Sequence, residues 1–154
     1  NALGRGDPVA ARYAGRIGLV IVLCFQTISA SAMFLFPDLI VRIYADDLAV
    51  GSLAVSLLFY SAIFQYPDGI QMVMAGALRG YKDTRMPMVI NTFSYWVLGF
   101  PLAYMAAITF RAPPSWIWGG FVLGLSVAAV LLTGRFSVLS RKMPNEPVEV
   151  PSAL

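Results

Sequence analysis

A single carboxylate stands inside a long apolar stretch of the sequence. Asp68 is the only charged residue between Leu48 and Leu78. A carboxylate near the middle of a bilayer costs about 2.5–3.5 kcal/mol on insertion scales, and ionisable residues in such positions usually serve a function. Asp68 is therefore the candidate residue for loading and releasing a proton or a small cation. The alternative is a structural aspartate that is hydrogen-bonded to another helix.

Two glutamines flank Asp68 at helical spacing. Gln65 and Gln71 lie three residues before and after it, and side chains three residues apart are neighbours on a helix, so we expect all three on one face. Pro67 cannot donate a backbone hydrogen bond, so the carbonyl oxygen of Ile63 loses its helical donor. This segment therefore predicts a cation or proton site beside a helix kink.

A second group of residues would line a substrate cavity or act as hinges. Trp96 lies too far inside its apolar segment for an interfacial belt, so it either packs or lines a cavity, and packing is the favoured interpretation. Methionine side chains are flexible and suit varied apolar ligands, although they are also ordinary in membrane helices. The candidates in this group are Phe64, Pro67, Met72, Trp96 and Pro101.

The composition indicates an integral membrane protein. Of the 154 residues, 58% are hydrophobic and 12% are charged, and this charged share is about half the usual one. The sequence has no histidine and one cysteine, Cys24, so the commonest metal ligand and any disulfide framework are missing. We find no phosphate-binding loop and no nucleophile–base pair, and so expect no enzyme. The net charge of +3 gives no indication of a nucleic-acid partner.

Four apolar segments are each long enough to span a bilayer, which takes about 20 residues as a helix. They lack the short alternating segments of a membrane β-barrel. Gly120 and Gly124, four residues apart, predict close helix packing in the last segment. We expect an all-α protein with transmembrane helices at about 17–36, 49–78, 86–110 and 114–134, and a cytoplasmic, disordered tail at 136–154.

The basic residues alternate along the segments that flank these helices. Their numbers run three, one, three, one, three, which by the positive-inside rule places both ends of the chain in the cytoplasm. Because the chain begins at Asn1, we expect it to be a fragment of a longer protein. The basic residues, in order, are Arg5, Arg12 and Arg16; Arg42; Arg79, Lys82 and Arg85; Arg111; and Arg135, Arg141 and Lys142.

Several stretches resemble one transporter family in order along the chain. They are NALGRGDPVAARYAGRIGL, FPDLIVRIYADD, FQYPDGIQMVMAGALRGYKDTRMP and SYWVLGFPLAY. They are similar to the C-terminal part of multidrug and toxic compound extrusion (MATE) transporters of the NorM type, as far as about Arg135. The resemblance implies twelve spanning helices in two six-helix lobes, of which this chain supplies the last four. It also implies export of cationic compounds in exchange for H⁺ or Na⁺.

The same resemblance assigns roles to individual positions. The family's acidic residue on the tenth helix, in the pattern Gln-x-x-Asp, falls on Asp68. NorM-type members carry a tyrosine four residues earlier, where this sequence has Phe64, so a hydroxyl ligand for Na⁺ is missing. The implied partners are membrane lipid, cationic drugs and the N-terminal helices of the same transporter. The implied location is the bacterial inner membrane, with no cofactor besides the coupling ion.

Two other functions stay open. A lipid-linked oligosaccharide flippase of the same superfamily would need a larger and more cationic cavity, and the four segments contain no Lys or Arg. A non-transporting membrane scaffold subunit would need no carboxylate near the bilayer midplane.

Overall fold

A computed structural model describes residues 8–43, 48–111 and 114–142, and these ranges are helical without any β-strand. A π-helical segment, Ser94–Gly99, joins α4 to α5, and a second, Met105–Thr109, follows α5. The run from α4 to this second segment is called the 85–109 helix below. The α-helices are α1 Pro8–Leu35, α2 Pro37–Arg42, α3 Leu48–Gly80, α4 Arg85–Phe93, α5 Phe100–Tyr104 and α6 Pro114–Lys142.

The long helices coincide with the four apolar segments but extend further at the polar ends. α1 begins at Pro8 rather than at residue 17, and proline suits a first turn because its missing N–H is not needed there. α6 continues to Lys142, so residues 136–142, which we assigned to the tail, are helical. The basic residues Arg141 and Lys142 in its last turn complement the helix dipole. Residues 143–154 lie outside the described residues.

Sequence analysis did not predict the short helix α2. Pro37 lies in its first turn together with Asp38, and Arg42 lies in its last turn. An acidic start and a basic end both stabilise a helix through its dipole. The sequence FPDLIVR carries these features, but it lies between the predicted spans 17–36 and 49–78 and outside both of them.

Two of the described helical segments, Val9–Leu35 and Ile117–Lys142, are long and apolar enough to cross a membrane. The other two long helices are not among them, so the four-span topology remains a prediction. Large apolar side chains such as Phe25, Ile28 and Val130 are exposed on the outside of the bundle. Exposed apolar surface of this kind is typical of a membrane or protein interface.

The main hydrophobic core lies at the end of the bundle where α3 and α6 end. Met74, Leu78 and Tyr81 pack there against α6. The Tyr81 ring meets the Phe136 ring edge-on, with 5.7 Å between centroids. A Cβ atom on Gly15 of α1 would lie 2.5 Å from that Phe136 ring. The core therefore holds α1, α3 and α6 together at this end.

The 85–109 helix approaches α6 closely through glycines, as the spacing of Gly120 and Gly124 predicts. A Cβ atom on Gly124 would lie 2.9 Å from the Ser94 carbonyl oxygen and 3.0 Å from the Gly99 Cα, and one on Gly120 would lie 2.7 Å from the Ala103 nitrogen. Pro101 lies in the first turn of α5, two residues after the end of the π-helical segment Ser94–Gly99.

Candidate functional site

α3, which contains Asp68, packs against α6, and the 85–109 helix reaches α3 through a hydrogen bond from Tyr95 to Gln71. Phe64, one turn before Asp68, meets Trp118 of α6 edge-on with 5.7 Å between ring centroids. Gln71, about one turn after Asp68, accepts a hydrogen bond from Tyr95 of the 85–109 helix. Asp68 is half-buried. Since i, i+4 and i+7 positions share a helix face, Asp68 lies on the same side of α3 as Phe64 and Gln71, and the region between this side, Trp118 and Tyr95 is called the cleft below.

Tyr95 is the residue of this cleft that sequence analysis missed. Its hydroxyl donates to Gln71 Oε1 at 2.8 Å, and its phenol is close enough to Asp68 for the two groups to interact electrostatically. The sequence signal for Tyr95 is weak, because it stands directly beside Trp96 in SYWVLGFP and its spacing does not single it out. Only the hydrogen bond from Tyr95 to Gln71 of α3 distinguishes the two neighbours.

Gln65 makes its hydrogen bonds within α3 and to α1. Its side-chain amide donates to the Ala62 carbonyl at 3.3 Å within α3. Its own backbone carbonyl accepts a hydrogen bond from Gln26 of α1. Among the described residues, no hydrogen bond connects Asp68 to either Gln65 or Gln71. The two glutamines therefore serve different contacts.

α1 contacts the Pro67 turn from another side. Gln26 is 8% exposed, and a Cβ atom on Gly69 would lie 1.8 Å from its Nε2 atom. An alanine at position 69 would have to displace this amide. The Gln26 Oε1 atom is buried and has no hydrogen-bond partner in the part of the chain that the structure describes. Sequence analysis missed Gln26, whose one signal was an amide inside an apolar segment.

A second contact reinforces this α1 side. The Tyr66 hydroxyl hydrogen-bonds to Thr27 Oγ1 at 3.3 Å. Tyr66 and Gln65 thus hold α3 to α1 immediately before Pro67, and Gly69 does so immediately after it. The proline turn is fixed on its α1 side, whereas the side with Asp68 faces the cleft.

The other predicted cavity and hinge residues are dispersed. Met72 and Trp96 are each 68% exposed. The favoured packing role of Trp96 is not found within the described residues, where its ring neighbour is Phe100 of its own helix at 5.8 Å. Pro67 and Pro101 are half-buried. Of this predicted group, Phe64 and Pro67 lie in the immediate surroundings of Asp68.

An apolar cavity of about 560 Å³ opens further along the same side of α3. Tyr60 contributes to it from α3, two turns from Asp68, and the Phe64–Trp118 ring pair lies between the two sites. The remaining wall comes from the 85–109 helix and α6. Its lining residues there are Leu102, Met105, Ala106, Phe110, Gly119, Gly120, Val122 and Leu123.

No cationic side chain in the part of the chain that the structure describes pairs with Asp68. The one ion pair among the described residues joins Arg135 Nε to Asp83 Oδ2 at 3.0 Å. Asp83 lies between the end of α3 and the start of α4. The described residues contain no group of three His, Cys, Asp or Glu side chains that could hold a metal ion.

An all-helical bundle with apolar outer faces and one carboxylate in an interhelical cleft is the architecture of a polytopic membrane protein. The sequence profile of the family described as MatE matches residues 1–105. The chain belongs to this family, and the resemblance stated above is confirmed.

Relatives agree with this assignment. The chain is 49% identical over 143 residues to the "Probable multidrug resistance protein NorM" of Xanthomonas axonopodis pv. citri, covering 93% of the chain and 31% of that relative. It is 42% identical over 150 residues to the "Multidrug resistance protein NorM" of Burkholderia vietnamiensis, covering 94% and 32%. It is 41% identical over 144 residues to the "Multidrug resistance protein PmpM" of Pseudomonas aeruginosa, covering 91% and 30%. The chain thus spans about a third of the length of these relatives.

Proposed function

We propose that this chain is part of an antiporter that exports cationic organic compounds in exchange for H⁺ or Na⁺. The observation that carries the proposal is the half-buried Asp68 carboxylate, which has no ion-pair partner among the described residues and lies two turns along α3 from an apolar cavity. A carboxylate next to an apolar cavity suits an amphiphilic cation. The names of the relatives, which refer to multidrug resistance, support drugs as the exported compounds.

Exchange follows from competition for one negative charge. A proton or Na⁺ arriving from outside neutralises Asp68, which weakens its attraction for the bound organic cation and favours release. A new organic cation arriving from the cytoplasm favours departure of the coupling ion. Rocking of the two lobes around this site would expose it alternately to the two sides of the membrane.

The residues around Asp68 favour H⁺ over Na⁺ as the coupling ion. A proton needs only the carboxylate, whereas a metal cation needs several oxygen ligands. Phe64 supplies no oxygen, and its ring packs on Trp118. The side-chain oxygen of Gln71 accepts a hydrogen bond from the Tyr95 hydroxyl, so one of its two lone pairs is used.

The proposal includes a bacterial inner-membrane location, four spans in this chain and cytoplasmic ends. The other partners would be membrane lipid and the remaining helices of the transporter. The alternative flippase function finds no support in the cavity, whose lining is almost entirely apolar. A sugar–phosphate headgroup would need polar or cationic groups in that position.

The test is cationic dye transport into inverted membrane vesicles that contain the complete transporter. Wild type is compared with Asp68→Asn, and with Asp38→Asn as a matched control at an exposed carboxylate of α2, at equal expression. A proton gradient and then a sodium gradient drive transport. We expect loss of dye transport in Asp68→Asn alone, with the proton gradient driving wild type. Equal transport by Asp68→Asn and wild type would disprove the proposal.

A further inference from the structure

The apolar cavity between α3, the 85–109 helix and α6 has a size that suits a ligand. Its volume is about 560 Å³, and pockets that bind drug-sized molecules measure about 300–1,000 Å³. Protein interiors are otherwise packed as closely as crystals of organic molecules. An opening of this size between three packed helices therefore needs an explanation, and the residue types that line it supply one.

Small residues create the cavity, and large apolar side chains form the rest of its wall. The small residues are Gly119 and Gly120 on α6 and Ala106 on the 85–109 helix. Two aromatic rings also line the cavity, Tyr60 from α3 and Phe110 directly after the 85–109 helix. An apolar wall with aromatic rings on separate helices favours a flat, apolar ligand such as a fused ring system.

Gly119 is the residue of this wall that protein packing does not explain. Glycine inside a helix costs about 1 kcal/mol relative to alanine. Gly120 has a packing reason, since a Cβ atom there would lie 2.7 Å from the Ala103 nitrogen, whereas nothing in the described part of the chain lies within 4 Å of a Cβ atom on Gly119. Gly119 shares a helix face with Val122 and Leu123, which line the cavity. A side chain at position 119 would therefore extend into the cavity, and the glycine keeps that space open.

The wall on the 85–109 helix has the properties of a site that adapts to its ligand. Met105 lines the cavity and begins the π-helical segment Met105–Thr109. π-Helical turns inside α-helices are rare and frequently found at functional sites. The methionine side chain is flexible and polarisable, so it fits apolar surfaces of different shapes.

We propose that this cavity binds the apolar ring system of the exported compound, and that Gly119 determines how large a ring system fits. The inference rests on the proposed function, from which it takes its ligand. Tyr60 lies eight residues before Asp68, which is about 12 Å along the helix axis. The rings of the compound and its positive charge are therefore recognised by different residues, and Gly119 acts on the rings alone.

The first test places a larger side chain in the cavity of the complete transporter. Gly119→Leu fills the space, and Gly134→Leu is the matched control on the same helix, where a Cβ atom also has open space around it. The measurement is the dissociation constant of the purified protein in detergent for two monovalent organic cations. Rhodamine 6G contains a fused ring system and is followed by fluorescence anisotropy, whereas radiolabelled tetraethylammonium contains no ring and is followed by equilibrium dialysis.

Gly119→Leu should weaken rhodamine 6G binding by at least about tenfold, because a single methylene group in an apolar pocket already changes binding by about 10–200-fold. Gly119→Ala should give a smaller loss. Tetraethylammonium should bind both variants as it binds wild type, and Gly134→Leu should bind both cations normally. Unchanged rhodamine 6G binding in Gly119→Leu would overturn the inference. Equal losses for the two cations would overturn it as well, since a purely structural effect does not discriminate by ring size.

A labelling experiment locates the compound even if Gly119→Leu does not fold. Gly119→Cys and the control Gly134→Cys are prepared in a transporter from which all other cysteines have been removed, including the exposed Cys24. The rate of reaction with N-ethylmaleimide is measured with and without rhodamine 6G. At ten times its dissociation constant, the dye should slow labelling at position 119 about tenfold by mass action and should leave position 134 unaffected.

Equal labelling rates at position 119 with and without the dye would contradict the inference. Protection by added phospholipid but not by rhodamine 6G would identify a lipid acyl chain as the occupant, and the inference would fail. If these tests fail while Asp68→Asn still abolishes transport, the proposed function stands without this cavity. If they succeed while Asp68→Asn transports normally, the cavity binds the compound but the proposed exchange at Asp68 fails.

Discussion

The Gln26 side chain of α1 lies directly over the Cα atom of Gly69 in α3. Its amide donates a hydrogen bond to the Gln65 carbonyl, and a Cβ atom at position 69 would lie 1.8 Å from Nε2. The contact brings a buried polar group of α1 against the turn that contains Pro67. Asp68 therefore lies in a helix turn whose position is stabilised by contacts with α1.

Gly69→Ala should lower the stability of the complete transporter by about 1–3 kcal/mol, because the displaced Gln26 amide is left buried without its acceptor. Thermal unfolding of the purified protein in detergent measures the effect. Gly76→Ala is the matched control on the same helix, since nothing lies within 4 Å of a Cβ atom there. Adding Gln26→Ala to Gly69→Ala should recover part of the loss. An unchanged unfolding temperature in Gly69→Ala would show that the amide moves aside freely.

Gly124→Ala should destabilise the packing of α6 on the 85–109 helix. The new methyl group would lie 2.9 Å from the Ser94 carbonyl oxygen and 3.0 Å from the Gly99 Cα, and backbone atoms cannot move aside as a side chain can. Overpacking of this kind costs about 1–3 kcal/mol. Gly134→Ala, on the same helix with open space around its Cβ position, should gain about 1 kcal/mol of helix propensity instead. Equal unfolding temperatures for the two variants would contradict the close contact.

Tyr81→Phe should leave stability at neutral pH within about 1 kcal/mol of wild type, because the buried hydroxyl has no hydrogen-bond partner among the described residues. At alkaline pH the two proteins should differ. Burial raises the pKa of Tyr81 above its usual value of 10.0, and the nearby Arg12 partly opposes this.

A raised folded-state pKa favours the protonated phenol in the folded protein. The resulting stability is present below about pH 10 and is lost as the pH rises through the raised value. Unfolding temperatures between pH 8 and pH 11 should therefore fall less in Tyr81→Phe than in wild type. The exposed Tyr13 supplies the control variant Tyr13→Phe, which should follow wild type. Coincident curves for Tyr81→Phe and wild type would refute the assignment.

Asp83 makes two separable contacts after the end of α3. Its Oδ2 pairs with Arg135 at 3.0 Å, and its Oδ1 accepts from the Met86 backbone N–H at 3.3 Å. Asp83→Asn keeps the second contact and should lower stability by less than about 1 kcal/mol, as partly exposed ion pairs do. Asp83→Ala should lose about 1 kcal/mol more with the helix cap.

Salt separates the two effects. The loss in Asp83→Asn should shrink at 1 M salt, where charges are screened, whereas the extra loss in Asp83→Ala should remain. The same salt-sensitive loss is expected for Arg135→Gln, and the double variant with Asp83→Asn should be no worse than either single variant. An additive double variant would show that the two charges do not interact.

Sequence alone determined the helical class of this protein, the approximate positions of its long helices and the singular position of Asp68. These properties are local, because helix formation and bilayer compatibility depend on apolar composition over about 20 consecutive residues. The close packing at Gly120 and Gly124 was also predictable, since four-residue spacing puts both glycines on one helix face. The predicted helices end with the apolar segments, whereas α1 begins earlier, at Pro8, and α6 continues further, to Lys142. Hydropathy indicates which residues fit a bilayer and not where a helix ends.

Only the tertiary structure decided which groups surround Asp68. Gln26 reaches Gln65 across 39 residues of sequence, and Tyr95 reaches Gln71 across 24. Helical periodicity tells which residues share a face of one helix, but it carries no information on which helix that face meets. For this reason the sequence alone could not identify Gln26 and Tyr95 as neighbours of the helix turn that contains Asp68. The side chains near the carboxylate are determined by how α1, α3 and the 85–109 helix pack. This packing depends on contacts throughout the bundle and not on any one segment of sequence.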